Sequence, residues 1–498
     1  MFHRLLVANR GEIAVRVIRA CREIGVSPIA VYSDPDEHAP HVRMADAAYA
    51  IGPAPASESY LRIDRLVDVA RAAGAEAVHP GYGFLSENPD FAQACLDAGL
   101  AWVGPPPQAM RDLGLKTEAR KRMQAAGVPV VPGTLEPLAW PADVRKVADE
   151  LGFPLALKAV AGGGGKGLRI VHRAEDLEPA FRQATSEAGA AFGNAAVYVE
   201  HAVERPRHVE VQVLADQHGN CVSLGERDCS VQRRHQKVVE ESPSPAVTPD
   251  LRAQMAEVAV RAAQAVGYTS AGTVEFLLAP DGVFYFLEVN ARLQVEHPVT
   301  ELVTGVDLVR EQLRIAAGEV LGYPEESIQS RGYAIECRVY AEDPANNFLP
   351  STGTLIGYRP PAGPGVRVDS GVEEGSTIGV HYDPMVAKLI TWAADREHGL
   401  DRMRRALREF LVLGVRTSIP LHLWILSQPA FRAGHVDTSW LEREWRAADI
   451  EQDLQDLPTA AIAAALLAED RPSTATPPSD GTTSRSAWRL AARQAGLK

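Results

Sequence analysis

Short apolar runs alternate with amphipathic stretches over the first hundred residues. Leu5–Ala8 is a continuous apolar run of strand length, Glu12–Ile24 carries its apolar residues at helical spacing, and Pro28–Tyr32 returns to a strand. Ala77–His79, Pro89–Ala98 and Ala101–Val103 repeat the order strand, helix, strand, and Pro105-Pro106-Pro107 closes the unit. This alternation predicts a parallel sheet covered by helices. The character changes near Lys116. A helix through Met123 leads past Gly127-Val128-Pro129 into a strand-rich region with a glycine-rich loop, which runs to about Ala317. A third mixed region extends from Gly332 to about Trp445. Beyond it, Leu457–Leu467 reads as an Ala-rich helix, and Arg471–Arg485 as a Pro/Ser/Thr-rich linker predicted to be disordered. The chain is therefore α/β and α+β in class, with no internal repeat.

One pair of strands carries candidate chemistry. Thr273–Leu278 and Val283–Asn290 flank Asp281-Gly282, a strong two-residue hairpin signal. A two-residue turn pairs 280 with 283 and hence 275 with 288. Val274, Phe276 and Leu278 then share an inward apolar face with Tyr285, Leu287 and Val289, and Glu275 stands opposite Glu288 on the other face. Like charges opposed across strands are destabilising. A divalent cation between them reverses that sign, and Asn290 lies two residues on from Glu288 on the same face. Two carboxylates and an amide oxygen suit Mg²⁺ or Mn²⁺; the alternative is a pair of solvated carboxylates on an exposed sheet face. The alternation continues through Arg292, Gln294 and Glu296, which reads either as the lining of a site or as an edge strand with surface ion pairs, ended by His297-Pro298.

A second feature is the loop Gly162-Gly163-Gly164-Gly165-Lys166-Gly167 between the strands Leu155–Val160 and Leu168–Val171. Glycine runs let backbone amides approach phosphates closely. The loop lacks the first glycine and the Ser or Thr of a P-loop, and it joins two strands, so a mobile lid over phosphates fits better. A plain flexible connector is the alternative. The first βα turn, Asn9-Arg10-Gly11-Glu12, lacks G-x-G-x-x-G, which disfavours nicotinamide binding there.

Composition narrows the function class. Of 498 residues, 51 are Lys or Arg and 64 Asp or Glu, a net charge of −13, which argues against nucleic acid as the main ligand. The five cysteines are scattered without a C-x-x-C pair, so a zinc site is not expected and a reducing cytoplasm is. The N-terminus has no signal-peptide pattern, and no run of 18 apolar residues exists, so no membrane span is expected.

Four long signatures carry a family resemblance. They are Ala8-Asn9-Arg10-Gly11-Glu12-Ile13-Ala14; His79 through Asn88, reading H-P-G-Y-G-F-L-S-E-N; Glu226–Ser230 with Gln232–Lys237; and Arg292 through Glu301, reading R-L-Q-V-E-H-P-V-T-E. Over residues 1–445 the chain resembles the biotin carboxylases of the ATP-grasp superfamily. The resemblance implies an N-terminal parallel-sheet pre-ATP-grasp domain (1–115), an ATP-grasp domain (116–317), a C-terminal biotin carboxylase domain (330–445) and a tail (446–498).

The same resemblance implies roles. Lys116 and Lys158 match the ATP-phosphate lysines, with Gly163, Gly164 and Gly165 in the lid. Glu200 begins the segment similar to the adenine-binding hinge, and His208, Gln232 and His235 match further nucleotide contacts. Glu275, Glu288 and Asn290 match the metal ligands. Lys237, Arg292, Gln294 and Val295 resemble the bicarbonate pocket, Glu296 the general base, and Arg338 the group that stabilises the biotin enolate, with Tyr82 beside the biotin. Lys237 and Arg292 are expected to keep Glu296 ionised. Taken alone, Arg338 reads equally as a surface salt-bridge partner on the strand Ala334–Tyr340, His235 as structural, and Cys229 as a buried small hydrophobe. Departures from the family pattern are Ala161 in the lid, His201 after Glu200 and Ala291 before Arg292.

The implied activity is ATP- and bicarbonate-dependent carboxylation of biotin through carboxyphosphate, the first half-reaction of an acetyl-CoA or other acyl-CoA carboxylase. The alternatives are the biotin carboxylase subunit of a two-subunit pyruvate carboxylase and another ATP-grasp ligase. No Met-Lys-Met biotinylation motif occurs in the sequence. The biotin carboxyl carrier protein and the carboxyltransferase are therefore expected in trans, and the family implies a homodimer. The end segment Ser486–Leu490 resembles the linker that follows this domain in longer acyl-CoA carboxylase chains.

Overall fold

The computed structural model describes residues 1–138, 141–160, 167–323 and 328–448. The lid residues Gly163, Gly164 and Gly165, the Leu457–Leu467 helix, the 471–485 linker and the Ser486–Leu490 segment lie outside them. Residues 1–447 form one compact unit.

The N-terminal sheet is parallel throughout, as the alternation predicted. Its strands are β1 (Arg4–Val7), β2 (Ser27–Ser33), β3 (Ala47–Gly52), β4 (Ala77–His79) and β5 (Ala101–Trp102), in the order β3-β2-β1-β4-β5. The helix Gly11–Glu23 buries Ile13, Val17 and Ile18 against it. At the C-terminal ends of these strands two signatures meet: Asn9 Nδ2 donates to Pro80 O at 2.7 Å and to Tyr82 O at 2.8 Å. A Cβ at Gly81 would stand 2.9 Å from that same nitrogen, and φ there is +64°, so the close approach requires glycine.

A small antiparallel sheet follows, of β6 (Leu155–Ala159), β7 (Arg169–Val171) and β8 (Val197–His201), in the order β7-β6-β8. The glycine loop therefore joins two antiparallel neighbours, as its flanking strands implied.

The main sheet has eight strands. β9 (Arg207–Ala215), β10 (Cys221–Arg233), β11 (Gln236–Ser242), β12 (Ser270–Leu278) and β13 (Phe284–Asn290) come from the second region, with β13 at one edge. The third region continues the same sheet: β14 (Tyr333–Tyr340) pairs with β11, and the strands Met385–Ala393 and Val366–Ser370 complete it. The β11–β14 seam carries the third region to the same cleft as the hairpin.

The hairpin corrects the sequence reading while keeping its central pair. Ala279, not Pro280, pairs with Val283 (N–H to O, 2.8 Å), giving a three-residue loop closed by Gly282 at φ +88°. One residue of register is lost there. It is regained at a bulge, where Glu275 pairs with Glu288 but Phe276 pairs with Phe286, so Leu287 is the extra residue. The two offsets cancel at Glu275 and Glu288 and not in between. Phe284 and Phe286, rather than Tyr285 and Leu287, therefore enter the core beside Phe276 and Leu278, with Phe276 and Phe284 edge to face at 5.3 Å. Phe286→Ala is expected to cost about 3–5 kcal/mol. Leu287→Ala, at the cleft wall, should leave the thermal unfolding midpoint nearly in place, and equal losses for the two variants would overturn the bulged register. The polar alternation beyond Asn290 is likewise not strand: β13 ends there, 291–296 is irregular, and a helix runs over His297–Thr304 with Pro298 in its first turn.

Candidate active site

The period-2 arrangement of β9 places His208, Glu210 and Gln212 on one face between buried valines. Register then sets four charged residues abreast on adjacent strands: Glu288 opposite Glu275, Glu275 opposite Glu210, and Glu210 opposite Arg227. Three neighbouring glutamates would repel one another. Two cations hold the row together. Arg227, fully buried, donates to Glu210 at 2.6 Å, Gln212 at 2.7 Å, Thr300 at 2.9 Å and Thr273 at 3.1 Å. Lys237 Nζ reaches Glu275 at 2.8 Å and Glu296 at 2.7 Å, and also pairs with Glu210. Burial works against the lysine's charge, but Cys229, Glu210, Glu275 and Glu296 outweigh it and hold Lys237 protonated.

Glu296 is fully buried at the turn into the His297–Thr304 helix. Its Oε1 accepts from Lys237 and its Oε2 from Arg338 at 2.9 Å. Burial alone would raise its pKa; Lys237, Arg338 and Arg227 instead hold it well below the usual carboxylate range. The second cation hydrogen-bonded to Glu296 is thus Arg338, while Arg292, which the sequence had suggested, interacts with it through charge. Arg292 is engaged by Glu87 at 2.9 Å, Gln294 at 2.8 Å and Asn290 at 3.3 Å. Cys229 lies 3.9 Å from Glu296. Burial, then the nearby Glu210 carboxylate, pushes its thiol well above the usual range, so it is a poor nucleophile.

On the hairpin side, Glu275 Oε1 accepts from Asn290 Nδ2 at 2.7 Å and Gln294 Nε2 at 3.3 Å, and its Oε2 faces His208 Nε2 at 2.9 Å. Burial is again outweighed, by Lys237 and His208, leaving Glu275 well below the ordinary value. Glu288 is half-buried, with Lys116 Nζ 3.5 Å away. Glu275, Glu288 and Asn290 make a compact oxygen-donor set that suits a hard divalent cation shared with phosphates.

Lys158 is paired with Glu200, whose other oxygen accepts from the buried Arg120 at 2.7 Å. The carboxylate of Glu200 thus joins Lys158 to Arg120, while 200–206 line the cleft. Gln232 Nε2 bonds His208 Nδ1 at 2.6 Å, and His235 stands exposed in the turn after β10 at φ +64°. Lys116, Lys158, Glu200, His208, Gln232, His235, Lys237, Glu275, Glu288, Asn290, Arg292, Gln294 and Arg338 border one cleft of about 780 Å³, lined also by Val295, Leu277, Leu287 and Tyr340, and the buried Glu296 reaches it through Lys237 and Arg338. Tyr82 is not among its lining residues; its ring lies 5.8 Å from Lys388 Nζ, behind Val295, whose carbonyl Lys388 holds at 2.8 Å.

Sequence reasoning missed Glu210, Arg227 and Arg120. The alternation His208-Val209-Glu210-Val211-Gln212-Val213 carried the signal for the first. Arg227 lay unremarked inside the Glu226–Ser230 signature. Arg120 stands one helical turn after Lys116, on the same helix, Lys116–Ala125.

The chain matches the families Biotin carboxylase, N-terminal domain, over residues 1–110, Carbamoyl-phosphate synthase L chain, ATP binding domain, over 116–323, and Biotin carboxylase C-terminal domain over 336–443. It is 51% identical over 441 residues to the biotin carboxylase of Nostoc sp., covering 89% of this chain and 99% of that one. It is 51% identical over 451 residues to a pyruvate carboxylase subunit from Methanothermobacter thermautotrophicus, covering 91% and 92%. Among solved structures, the biotin carboxylase domain dimer of Hydrogenobacter thermophilus 2-oxoglutarate carboxylase, in complex with MgADP, ADP and bicarbonate, superposes with a TM-score of 0.86 at 48% identity, covering 89% of this chain and 98% of that one. The chain belongs to the biotin carboxylases, ATP-dependent ligases built on the ATP-grasp fold.

Proposed function

We propose that this chain carboxylates biotin borne on a separate carrier protein, with Glu296 as the base and the Lys237–Glu296–Arg338 triplet as the centre of the reaction. The observation that carries the reading is that one buried carboxylate joins two cations, both of which line the cleft. Lys116 and Lys158 bind the ATP phosphates, and the 200–206 segment with His208, Gln232 and His235 holds the base and sugar. Glu275, Glu288 and Asn290 would hold Mg²⁺ or Mn²⁺, which supplies charge neutralisation at the phosphates when bound. The working division of the chain is 1–115, 116–317 and 330–445.

Bicarbonate binds against Lys237, Arg292, Gln294 and the Val295 backbone. Glu296 takes its proton as its oxygen attacks the γ-phosphorus, giving carboxyphosphate and ADP. A carboxylate held this far down is a weak base while Lys237 and Arg338 both serve it. An anion beside Lys237 takes up part of that cation's field and raises the basicity of Glu296, so the substrate itself readies the base. Carboxyphosphate then yields CO₂ and phosphate; phosphate removes the biotin N1 proton, and Arg338 stabilises the enolate oxygen.

Free biotin tests the reading. It should stimulate bicarbonate-dependent ATP hydrolysis by the purified chain, and an ATPase rate indifferent to biotin would refute it. Likeness to the Hydrogenobacter domain favours a homodimer. The tail segment Ser486–Leu490 favours an acyl-CoA as final acceptor, and the pyruvate and 2-oxoglutarate carboxylases among the relatives make a 2-oxo acid the second reading. Reconstitution with the carboxyltransferase from the same source, offered acetyl-CoA, propionyl-CoA or pyruvate, decides between them.

A further inference from the structure

Beneath Arg338 lies a second carboxylate pair that takes no part in the steps above. Glu240 on β11 and Glu336 on β14 are cross-strand partners, and both are fully buried. Glu240 Oε1 lies 2.6 Å from both Arg338 Nε, from which it accepts, and Nη2, while among the described residues its Oε2 has no hydrogen-bond partner and neither do the two oxygens of Glu336. Arg338 is therefore gripped from two sides. Glu240 holds it at Nε and touches Nη2, and Glu296 holds it at Nη2 at 2.9 Å. Its main-chain carbonyl is fixed as well, by His422 Nε2 at 2.7 Å and Ser418 Oγ at 3.1 Å.

The two carboxylates that grip Arg338 have different fates in turnover. Glu296 loses its charge whenever it accepts a proton, and at that moment its hold on the guanidinium weakens. Glu240 sits out of reach of substrate. Of two opposed buried carboxylates, only one ionises readily. Burial pushes both up, Glu336 well above the usual range; at Glu240 the Arg338 guanidinium offsets part of the rise and leaves it at about 7. The Arg338 contact favours Glu240 as the anion of the pair.

We propose that Glu240 is a positioning residue for biotin carboxylation: it anchors the guanidinium of Arg338 by Nε, so that the remaining N–H groups stay aimed at the ureido oxygen while Glu296 changes charge. The proposal rests on the assignment of Arg338 as the biotin-facing group.

The test measures ATP hydrolysis by the full chain with bicarbonate, with and without free biotin, and takes the ratio of the two rates. Glu240→Gln should lower that ratio about tenfold or more through kcat, with the KM for ATP little changed, because loss of aim costs rate and not nucleotide binding. Glu336→Gln, equally buried on the paired strand, should keep the wild-type ratio. Glu240→Asp, which restores the charge, should recover part of the loss. A wild-type ratio in Glu240→Gln, or an equal fall in Glu336→Gln, overturns the proposal. Arg338→Met separates it from the reading beneath it: if that variant also keeps the wild-type ratio, the assignment of Arg338 itself fails.

Discussion

Glu296→Gln is expected to slow bicarbonate-dependent ATP turnover by about 10²–10⁴-fold, the usual worth of a positioned general base. The bicarbonate KM should stay level or fall. The structure gives the reason for that split. Glu296 is the anion between Lys237 and Arg338, at 2.7 and 2.9 Å. Neutralising it frees positive charge beside the pocket that must hold bicarbonate, so anion binding does not weaken while proton removal does. The amide carries its own cost. One side of Gln must present N–H groups, and both neighbours are themselves donors, so one buried contact becomes donor against donor. A thermal melt with ADP and Mg²⁺ checks that the variant still folds and binds nucleotide. A kcat close to wild type would refute the base assignment. A loss expressed wholly as a raised bicarbonate KM would instead make Glu296 a structural anion.

The legibility of this site followed the range of its interactions. The Glu275–Glu288 pair was readable because a hairpin is local, although the reading survived only because a longer loop and a bulge offset each other. The bulge itself was invisible: Tyr285 and Leu287 are as apolar as Phe284 and Phe286, so hydrophobic pattern does not say which pair enters the core. The pairing of Arg338 with Glu296 depends on β14 joining β11 across almost a hundred residues. No periodicity reports such a seam. The resemblance supplied Arg338, and only the structure showed that it donates to Glu296.

The N-terminal signatures also changed meaning. Read as family marks, Glu12 and Glu87 had no role. In the structure Glu87 accepts from Ala291 N at 3.0 Å and from Arg292 Nε at 2.9 Å, fixing that arginine at the cleft wall. Glu12 faces the buried Lys388 at 3.2 Å, and Lys388 holds the Val295 carbonyl. These two glutamates thus brace the 291–296 segment, which has no sheet partners of its own after β13 ends. An irregular segment bordering a cleft must take its rigidity from such side-chain clamps.

Glu288→Lys tests the other half of the site, and its expected effect is as large. It should abolish Mg²⁺-dependent nucleotide binding in titration calorimetry and lower turnover by at least about a thousandfold, roughly 4 kcal/mol of lost charge stabilisation. The row of charges explains why this glutamate is the sensitive one. Glu275 is already served by Lys237, His208, Asn290 and Gln294. Among the described residues Glu288 pairs with Lys116, at 3.5 Å, and it is half-exposed toward the cleft. It is the member of the pair whose charge is left to be met from the cleft side. A lysine there would satisfy Glu275 across the strands, an opposite-charge pair in place of a like-charge one. The variant is therefore expected to melt near wild type in the absence of nucleotide, because relief of the cross-strand repulsion offsets the lost ion pair with Lys116 and the new like-charge contact there. Stability retained with metal-dependent binding lost is the signature of a ligand site and not of a structural pair. Wild-type Mg²⁺ dependence in Glu288→Lys would return the two glutamates to the status of solvated surface charges.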